Sequence, residues 1–219
     1  MLSSTPDALF YPWFKSSQTC EVIALAASAG GFEALAQVLS GLPHDFTVPI
    51  IALLHRGKRP PGPDILVEFL SQRSRLKVVQ ARHGDKLKNA TIHVLPPARD
   101  MRLNAGSFQV CSSTSRLHPS ADMLFESMAE GHGPRCIGVV LSGALMDGAR
   151  GISAIRARGG TVLVQAPETA TVQGMPKTAI RTGFVDGIMH PTDIADALIS
   201  LTLGRRRASL CHPAYISAN

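Results

Sequence analysis

A short apolar segment followed by a serine and two glycines constrains the fold of this chain more than any other feature. Val22–Ala27 is apolar at every position, as expected for a strand that is buried on both faces of a parallel sheet. Ser28 follows this segment. Gly30 and Gly31 then precede Phe32–Leu39, in which apolar residues recur at helical spacing. This order predicts a strand, a tight turn and a helix, with Ser28 at the sheet edge where open α/β folds bind ligands.

Three interpretations of this turn are open. In the first, the glycines and the free N–H groups of the helix start bind a phosphate, although neither standard glycine-rich phosphate pattern is present. In the second, Ser28 is a nucleophile and the following N–H groups form an oxyanion hole, although Ala26 replaces the first glycine of G-x-S-x-G. In the third, Ser28 only caps the helix. A base and an acid at matching positions would favour the nucleophile.

Apolar segments and helical patterns alternate along the rest of the chain. The further predicted strands are Val48–Leu54, Lys77–Ala81, Thr91–Leu95, Ile137–Leu141 and Thr161–Gln165. The further predicted helices are Asp64–Gln72, one capped by Ser120 that runs to about Glu130, Ala149–Arg158, one that begins at Gly174–Pro176, and Asp193–Leu203. This alternation predicts a doubly wound, mostly parallel sheet between helices, a three-layer αβα fold, with one antiparallel hairpin at Met101–Val110.

The composition predicts one folded domain. The chain has 219 residues, of which 45% are hydrophobic and 17% charged, so a packed core is expected rather than disorder. We expect an extended arm at 1–20, the folded domain at 21–203 and a basic tail at 204–219. No apolar run reaches the length of a membrane span, and the first residues do not resemble a secretory signal. We therefore expect a cytoplasmic protein without membrane insertion.

Cysteine usage and charge argue against two further classes of function. The four cysteines are far apart and form no metal-binding pattern, so reduced thiols are expected and neither a metal nor another cofactor is predicted. The net charge of +6 lies partly in Arg205–Arg207. Aromatic residues make up only 5% and no basic stripe alternates with stacking residues, so no nucleic-acid partner is expected.

Polar residues at the ends of three apolar strands predict a catalytic site. Ser28 ends the first strand, His55 ends the second, and Asp147 lies shortly after Leu141. The carboxyl ends of parallel strands lie on one edge of the sheet, so these side chains are expected to converge there. A nucleophile, a base and an orienting acid form the arrangement of serine hydrolases, whose chain order varies between folds.

The roles in this predicted triad follow from chemistry. His55 would take the proton of Ser28, and Asp147 would orient the imidazole and stabilise its charged form. The predicted oxyanion donors are the backbone N–H groups of Ala29 and, in the turn after Leu141, of Ala144. Each residue also has a structural interpretation, because a histidine often ends a strand and an aspartate before a helix is often a cap. Their joint position at one edge favours catalysis.

Five separated motifs resemble one family. They are Ala27–Gly31, Leu54-His55, His118–Phe125, Gly138–Ala149 and Gly174–Pro176. In order and spacing they are similar to the catalytic domain of the bacterial chemotaxis protein-glutamate methylesterase family, CheB, over about Val22–Leu203. The resemblance implies a doubly wound sheet and hydrolysis of glutamate γ-methyl esters on methyl-accepting chemoreceptors, with glutamine deamidation as a second activity. It places the family's nucleophile, histidine and aspartate on Ser28, His55 and Asp147.

The sequence departs from the family pattern in four ways. Members usually carry an amino-terminal phosphoreceiver domain, whereas about 20 residues precede the first strand here, so we expect no control by phosphorylation in cis. Ala29 replaces a threonine, and Ala144-Leu145 replaces a Met-Gly pair near the predicted oxyanion donor. Arg56-Gly57 replaces a Met-Pro pair, which predicts a more basic rim suited to acidic receptor segments.

Three alternatives to a receptor methylesterase stay open at this stage. The fold with an impaired oxyanion loop could serve as a non-catalytic docking module, which the Ala144-Leu145 departure favours. A nucleotide-binding protein would use the Gly30-Gly31 turn, although no P-loop lysine supports it. A hydrolase of small esters is the third. The sequence identifies neither the receptor nor the oligomeric state.

Overall fold

A parallel sheet with helices on both faces forms the centre of the structure, a computed structural model that describes residues 19–57, 62–111, 120–144 and 146–203. The strands are β1 (Val22–Ala27), β2 (Ile50–Leu54), β3 (Lys77–Gln80), β4 (Thr91–Val94), β5 (Asp100–Asn104), β6 (Ser107–Cys111), β7 (Cys136–Val140), β8 (Thr161–Gln165) and β9 (Gly187–Met189). The helices are α1 (Gly31–Ser40), α2 (Ile65–Ser71), α3 (Ala121–His132), α4 (Ala149–Ala157), α5 (Gly174–Arg181) and α6 (Pro191–Leu203).

The strand order of the main sheet identifies its ligand-binding edge. Within the described residues this sheet has seven parallel strands in the order β3-β4-β2-β1-β7-β8-β9. The chain builds outward from β1 on one side through β2 and on the other side through β7. The order therefore reverses between β1 and β7, and in open α/β sheets such a switch point opens a crevice at the carboxyl ends of the strands. Ser28 follows β1 at this crevice.

Alternate residues of the strands point into two cores, because successive side chains of a strand face opposite sides of the sheet. Ile23 and Leu25 of β1 pack into the core beneath α1, α2 and α6. Ala24 and Ala26 pack into the other core, beneath α3, α4, α5 and the β5–β6 hairpin. All six residues of β1 are fully buried. Burying a side chain such as Leu25 stabilises the fold by about 1.5–3 kcal/mol. Because its side chains enter both cores, β1 connects the two helical layers through the sheet.

The predicted three-layer fold with one antiparallel hairpin is confirmed, with small differences at element ends. β2 begins at Ile50 instead of Val48, because Pro49 has no N–H to donate to a ladder. β9 was not predicted, since a three-residue, half-buried edge strand carries no alternating pattern. The proposed tail at 204–219 and most of the proposed arm at 1–20 lie outside the described residues. In the described ranges, no helix is long and apolar enough to cross a membrane.

Candidate active site

Ser28 occupies the sharp turn between β1 and α1. Its N–H donates to the carbonyl of Ser142 at 2.9 Å, and its own carbonyl accepts from the N–H of Gly31 at 2.8 Å. The N-cap of α1 is Gly30, at φ 76°, and no side chain caps this helix. The interpretation of Ser28 as a helix cap is therefore wrong. Its side chain is half-buried.

The glycines around Ser28 allow three loops to approach closely. A Cβ on Gly30 would lie 2.5 Å from Cβ of Thr171, in the loop before α5. A Cβ on Gly31 would lie 2.5 Å from Cδ1 of Leu54, and one on Gly143 would lie 2.9 Å from Cβ of Ser28. Contacts this short do not occur between real Cβ atoms, so larger residues would push the loops apart. Packing accounts for the two glycines after Ser28 without a bound phosphate.

His55 lies next to Ser28 on the neighbouring strand. Ala27 and Leu54 are partners in the register of β1 and β2, so Ser28 and His55 are the residues that follow this pair. The N–H of His55 donates to the carbonyl of Ala27 at 3.0 Å, which extends the ladder by one bond. The position of the histidine backbone is thus set by the sheet itself.

The structure brings His55 and Asp147 together. Nε2 of His55 lies 2.7 Å from Oδ2 of Asp147, and both side chains are less than a tenth exposed. Among the described residues, no hydrogen bond joins the Ser28 hydroxyl to His55. Nδ1 is the ring nitrogen that remains for such a contact, and catalytic hydrogen bonds are often long before substrate binds.

The amino end of α3 holds the Asp147 carboxylate. Oδ2 accepts from the N–H of Ala121 at 2.6 Å, and Oδ1 accepts from the N–H of Asp122 at 3.1 Å. Burial raises the pKa of Asp147, but the hydrogen bonds from His55 and from these two N–H groups outweigh it and hold the pKa below its usual range. The carboxylate is therefore ionised at neutral pH. It is also oriented by groups that cannot rotate away.

The predicted oxyanion donors lie at the same edge. Among the described residues, no hydrogen bond uses the N–H of Ala29 or of Ala144. Gly143 in the same turn is excluded as a donor, because its N–H already binds the carbonyl of Val172 at 2.9 Å. Leu145, whose replacement of a glycine is the family departure noted above, lies outside the described residues.

Two buried polar residues that were not predicted hold the loops in place. Oγ of Ser142 donates to the carbonyl of Ala29 at 2.8 Å and accepts from the N–H of Val172 at 3.0 Å. Oε1 of Gln165 accepts from the N–H of Ser142 at 2.8 Å. Gln165 ends an apolar strand, as Ser28 and His55 do. A polar residue at a strand end is therefore the signal that could have identified it. These contacts join the turn after β1 to the loop before α5.

Arg56 does not form the basic rim that was predicted. Its guanidinium binds both carboxylate oxygens of Asp64 and donates to the carbonyl of Leu95 at 2.9 Å. The side chains of Arg56 and Asp64 are 8% and 5% exposed. Burial raises the pKa of Asp64, but the hydrogen bonds from Arg56 and its charge lower it further than burial raises it. The positive charge of Arg56 is therefore paired inside the fold instead of lying on its surface. The neighbouring basic residues at 58–59 lie outside the described residues.

The surroundings of Ser28 are crowded in the described part of the chain. Among the described residues, no group of three or more His, Cys, Asp or Glu side chains is placed to hold a metal ion. The loop before α5 crowds the edge beside Ser28 through Thr171 and Val172. Met146 is exposed immediately before Asp147, with 69% of its surface accessible. The described residues thus place the turn that bears Ser28, the His55–Asp147 contact and the turn that contains Ala144 at one edge of the sheet.

Comparison with known sequences identifies related proteins. The family model described as CheB methylesterase matches residues 23–198. Protein-glutamate methylesterase/protein-glutamine glutaminase 2 of Anaeromyxobacter dehalogenans is 39% identical over 184 residues, which cover 83% of this chain and 53% of that protein. Protein-glutamate methylesterase FrzG of Myxococcus xanthus is 35% identical over 186 residues, covering 81% of this chain and 54% of that protein. The chain thus spans about half the length of these relatives.

A solved structure shares the fold. The crystal structure of the Thermotoga maritima CheB methylesterase catalytic domain superposes with a TM-score of 0.75 at 28% sequence identity. The match covers 84% of this chain and all of that one. The similarity therefore extends through nearly all the described strands and helices.

Proposed function

The chain belongs to the CheB methylesterase family, and from this premise we propose that it is a serine hydrolase that removes methyl esters from glutamate side chains of chemoreceptors. The observation that carries the proposal is the 2.7 Å contact between His55 and Asp147, beside the turn that bears Ser28. The domain over 21–203 is its catalytic domain. Family resemblance also supports a cytoplasmic location and deamidation of receptor glutamine as a second activity.

The first half of the reaction forms an acyl-enzyme. Oγ of Ser28 attacks the carbonyl carbon of the methyl ester while His55 takes the hydroxyl proton. Negative charge develops on the carbonyl oxygen, and the N–H groups of Ala29 and Ala144 stabilise it. When the carbon–oxygen bond to the methoxy group breaks, His55 returns the proton to the departing oxygen, and methanol leaves. The receptor glutamyl group stays bound to Ser28 as an ester.

The second half restores the enzyme. His55 takes a proton from water, and the resulting hydroxide attacks the acyl carbon through the same oxyanion contacts. The proton then passes to Oγ of Ser28, which leaves as the free hydroxyl, and a glutamate carboxylate is released. In both halves Asp147 stabilises the imidazolium. Its attachment to the amino end of α3 keeps the imidazole in one orientation.

Methanol release from methylated chemoreceptor membranes tests the proposal. We expect release by the wild type and none above background by the Ser28→Ala variant. Ser40→Ala is the matched control, because it removes a serine hydroxyl from the far end of α1 and leaves the turn intact. Equal release by wild type and Ser28→Ala would show that Ser28 is not the nucleophile.

A non-catalytic docking module is the second candidate function. Two observations favour it: Ala144-Leu145 stands where the family has Met-Gly, and no hydrogen bond joins Ser28 to His55 among the described residues. An activated ester separates the two candidates. A hydrolase gives a burst of one product equivalent per enzyme that Ser28→Ala abolishes. A docking module gives no burst while the folded protein still sediments with receptor membranes.

A further inference from the structure

Two aspartates join the starts of helices α3 and α4 in a reciprocal arrangement. Asp147 lies just before α4, and its carboxylate accepts from the first N–H groups of α3, those of Ala121 and Asp122. Asp122 lies in the first turn of α3, and its Oδ1 accepts from the N–H groups of Gly148 at 3.0 Å and Gly151 at 2.8 Å at the start of α4. Asp122 of α3 thus accepts from N–H groups at the start of α4 that have no partner within their own helix. Asp147, just before α4, does the same for the start of α3.

This arrangement determines where the Asp147 backbone lies. Gly148, the next residue, is the N-cap of α4 at φ 99°, and no side chain of α4 itself caps that helix. The N–H of Gly148 donates to the Asp122 carboxylate of the opposite helix at 3.0 Å and to Oδ1 of Asp147 at 3.1 Å. The helices are in close contact here, since a Cβ on Gly151 would lie 3.1 Å from the Cα and the carbonyl oxygen of Asp122. Through Gly148 and Gly151, Asp122 therefore helps to hold the start of α4, directly after Asp147.

The charge of Asp122 also acts on the pair. Burial raises the pKa of Asp122, the hydrogen bond from Gly151 lowers it, and the negative charge of Asp147 raises it further. Arg150 on α4 lowers this pKa and Glu126 on α3 raises it, to smaller extents. The carboxylates of Asp122 and Asp147 both accept from the N–H of Gly148, at 3.0 Å and 3.1 Å, so the ionised Asp122 places a second anion close to Asp147.

We propose that Asp122 is a positioning residue for the reaction: its hydrogen bonds hold the Asp147 turn in place, and its charge favours the imidazolium that Asp147 stabilises. This inference rests on the proposed function. Asp122 touches neither substrate nor the reacting atoms and acts only through Asp147. It therefore predicts effects on kcat and on its pH dependence, with little effect on KM.

Three variants separate the two contributions in methanol-release kinetics. Asp122→Ala removes the acceptor, and we expect kcat to fall by about 10²-fold, as for a misplacement near 1 Å, with KM unchanged. Asp122→Asn keeps an amide oxygen that accepts from Gly148 and Gly151 but removes the charge. We expect it to recover most of kcat and to move the acid limb of the pH profile to lower pH, because the imidazolium loses a neighbouring anion.

Glu126→Gln is the matched control. It removes one carboxylate from the same helix, one turn farther along, where Glu126 pairs with Arg150 on the surface. We expect wild-type kcat and an unmoved acid limb. Wild-type kcat in Asp122→Ala would overturn the proposal. Equal losses in Asp122→Ala and Asp122→Asn, with the acid limb unmoved and a parallel fall in melting temperature, would also overturn it, since they indicate a purely structural residue.

A second readout does not depend on activity. The ring signals of His55 in NMR titrations should change at lower pH in Asp122→Asn than in Glu126→Gln. If the wild type releases no methanol, the proposed function fails, and this titration still decides the proposal on Asp122: equal midpoints in the two variants would overturn it. If Asp122→Ala does not fold, the pH profile of Asp122→Asn decides in the same way.

Discussion

His55 and Arg56 are consecutive residues that each bind a buried aspartate, in two contacts of different kinds. His55 binds Asp147 across 92 residues of sequence, and Arg56 binds Asp64 across 8. All four side chains are at most 8% exposed. The first pair lies at the sheet edge beside Ser28. The second closes the loop after β2 and caps α2, because Asp64 also accepts from the N–H of Leu66.

The comparison shows that burial of a charged pair does not by itself identify a functional site. A histidine changes its charge near neutral pH and can pass a proton between groups. An arginine stays protonated in proteins, so Arg56 can hold a loop but cannot act as a base. The chemistry of the basic partner, together with its position relative to Ser28, distinguishes the pair proposed for catalysis from the pair that stabilises the fold.

Asp147→Asn is expected to have the largest effect. The amide cannot hold the imidazole in the required tautomer, and changes of this kind in Ser-His-Asp enzymes lower kcat by about 10⁴-fold. Methanol release at saturating substrate measures it, with Asp193→Asn, at a half-buried aspartate in the first turn of α6, as the control. Activity within tenfold of wild type would contradict the proposal that the His55–Asp147 pair serves catalysis while the Arg56–Asp64 pair serves stability.

Asp64→Ala is expected to act on stability instead. Removing one partner leaves the Arg56 charge buried, and breaking such a pair lowers the free energy of unfolding by about 3–5 kcal/mol. Urea unfolding followed by circular dichroism measures the loss. Under conditions where the variant is folded, kcat should stay close to wild type, since the sheet and Asp147 hold His55. A large loss of kcat at full folding would contradict the separation of the pairs.

Acid should weaken the structural pair in a defined direction. Asp64 has a pKa below its usual value in the folded state, so its contribution is present above the unfolded value of about 3.9 and is lost as pH falls through the folded value. The stability difference between wild type and Asp64→Asn should therefore shrink below about pH 4. Urea unfolding from pH 3 to 7 measures it, and a difference that grew on acidification would contradict this assignment.

Glu130→Ala should give the smallest effect. It breaks the Arg102–Glu130 pair, whose side chains are about half exposed, and exposed pairs contribute only about 0.2–1 kcal/mol. The same urea series measures it. A loss as large as that of Asp64→Ala would show that burial is not what distinguishes the Arg56–Asp64 pair.

Much of the fold could be predicted from the sequence, because buried parallel strands are apolar throughout and Gly and Pro residues lie in the turns between the elements. The meeting of His55 and Asp147 could also be predicted, since residues just past the ends of parallel strands share one edge. Their catalytic use, with Ser28, stays a prediction. The burial of Arg56 could not be predicted, because it depends on where the loop returns Asp64 to the sheet. The hydrogen bonds of Asp122 depend on the packing of two helices and leave no mark in the local pattern.

The contact between His55 and Asp147 has a consequence for how the protein folds. It joins the two halves of the sheet, which lie on opposite sides of β1, and it also requires the start of α3 to be in place. Such a contact carries the entropic cost of closing a loop of 92 residues, which slows its formation relative to local contacts. A chain that has paired β1 with β2 but not yet with β7 would lack the contact, because Asp147 follows β7. The proposed hydrolase activity therefore requires both halves of the sheet and the start of α3 to be in place.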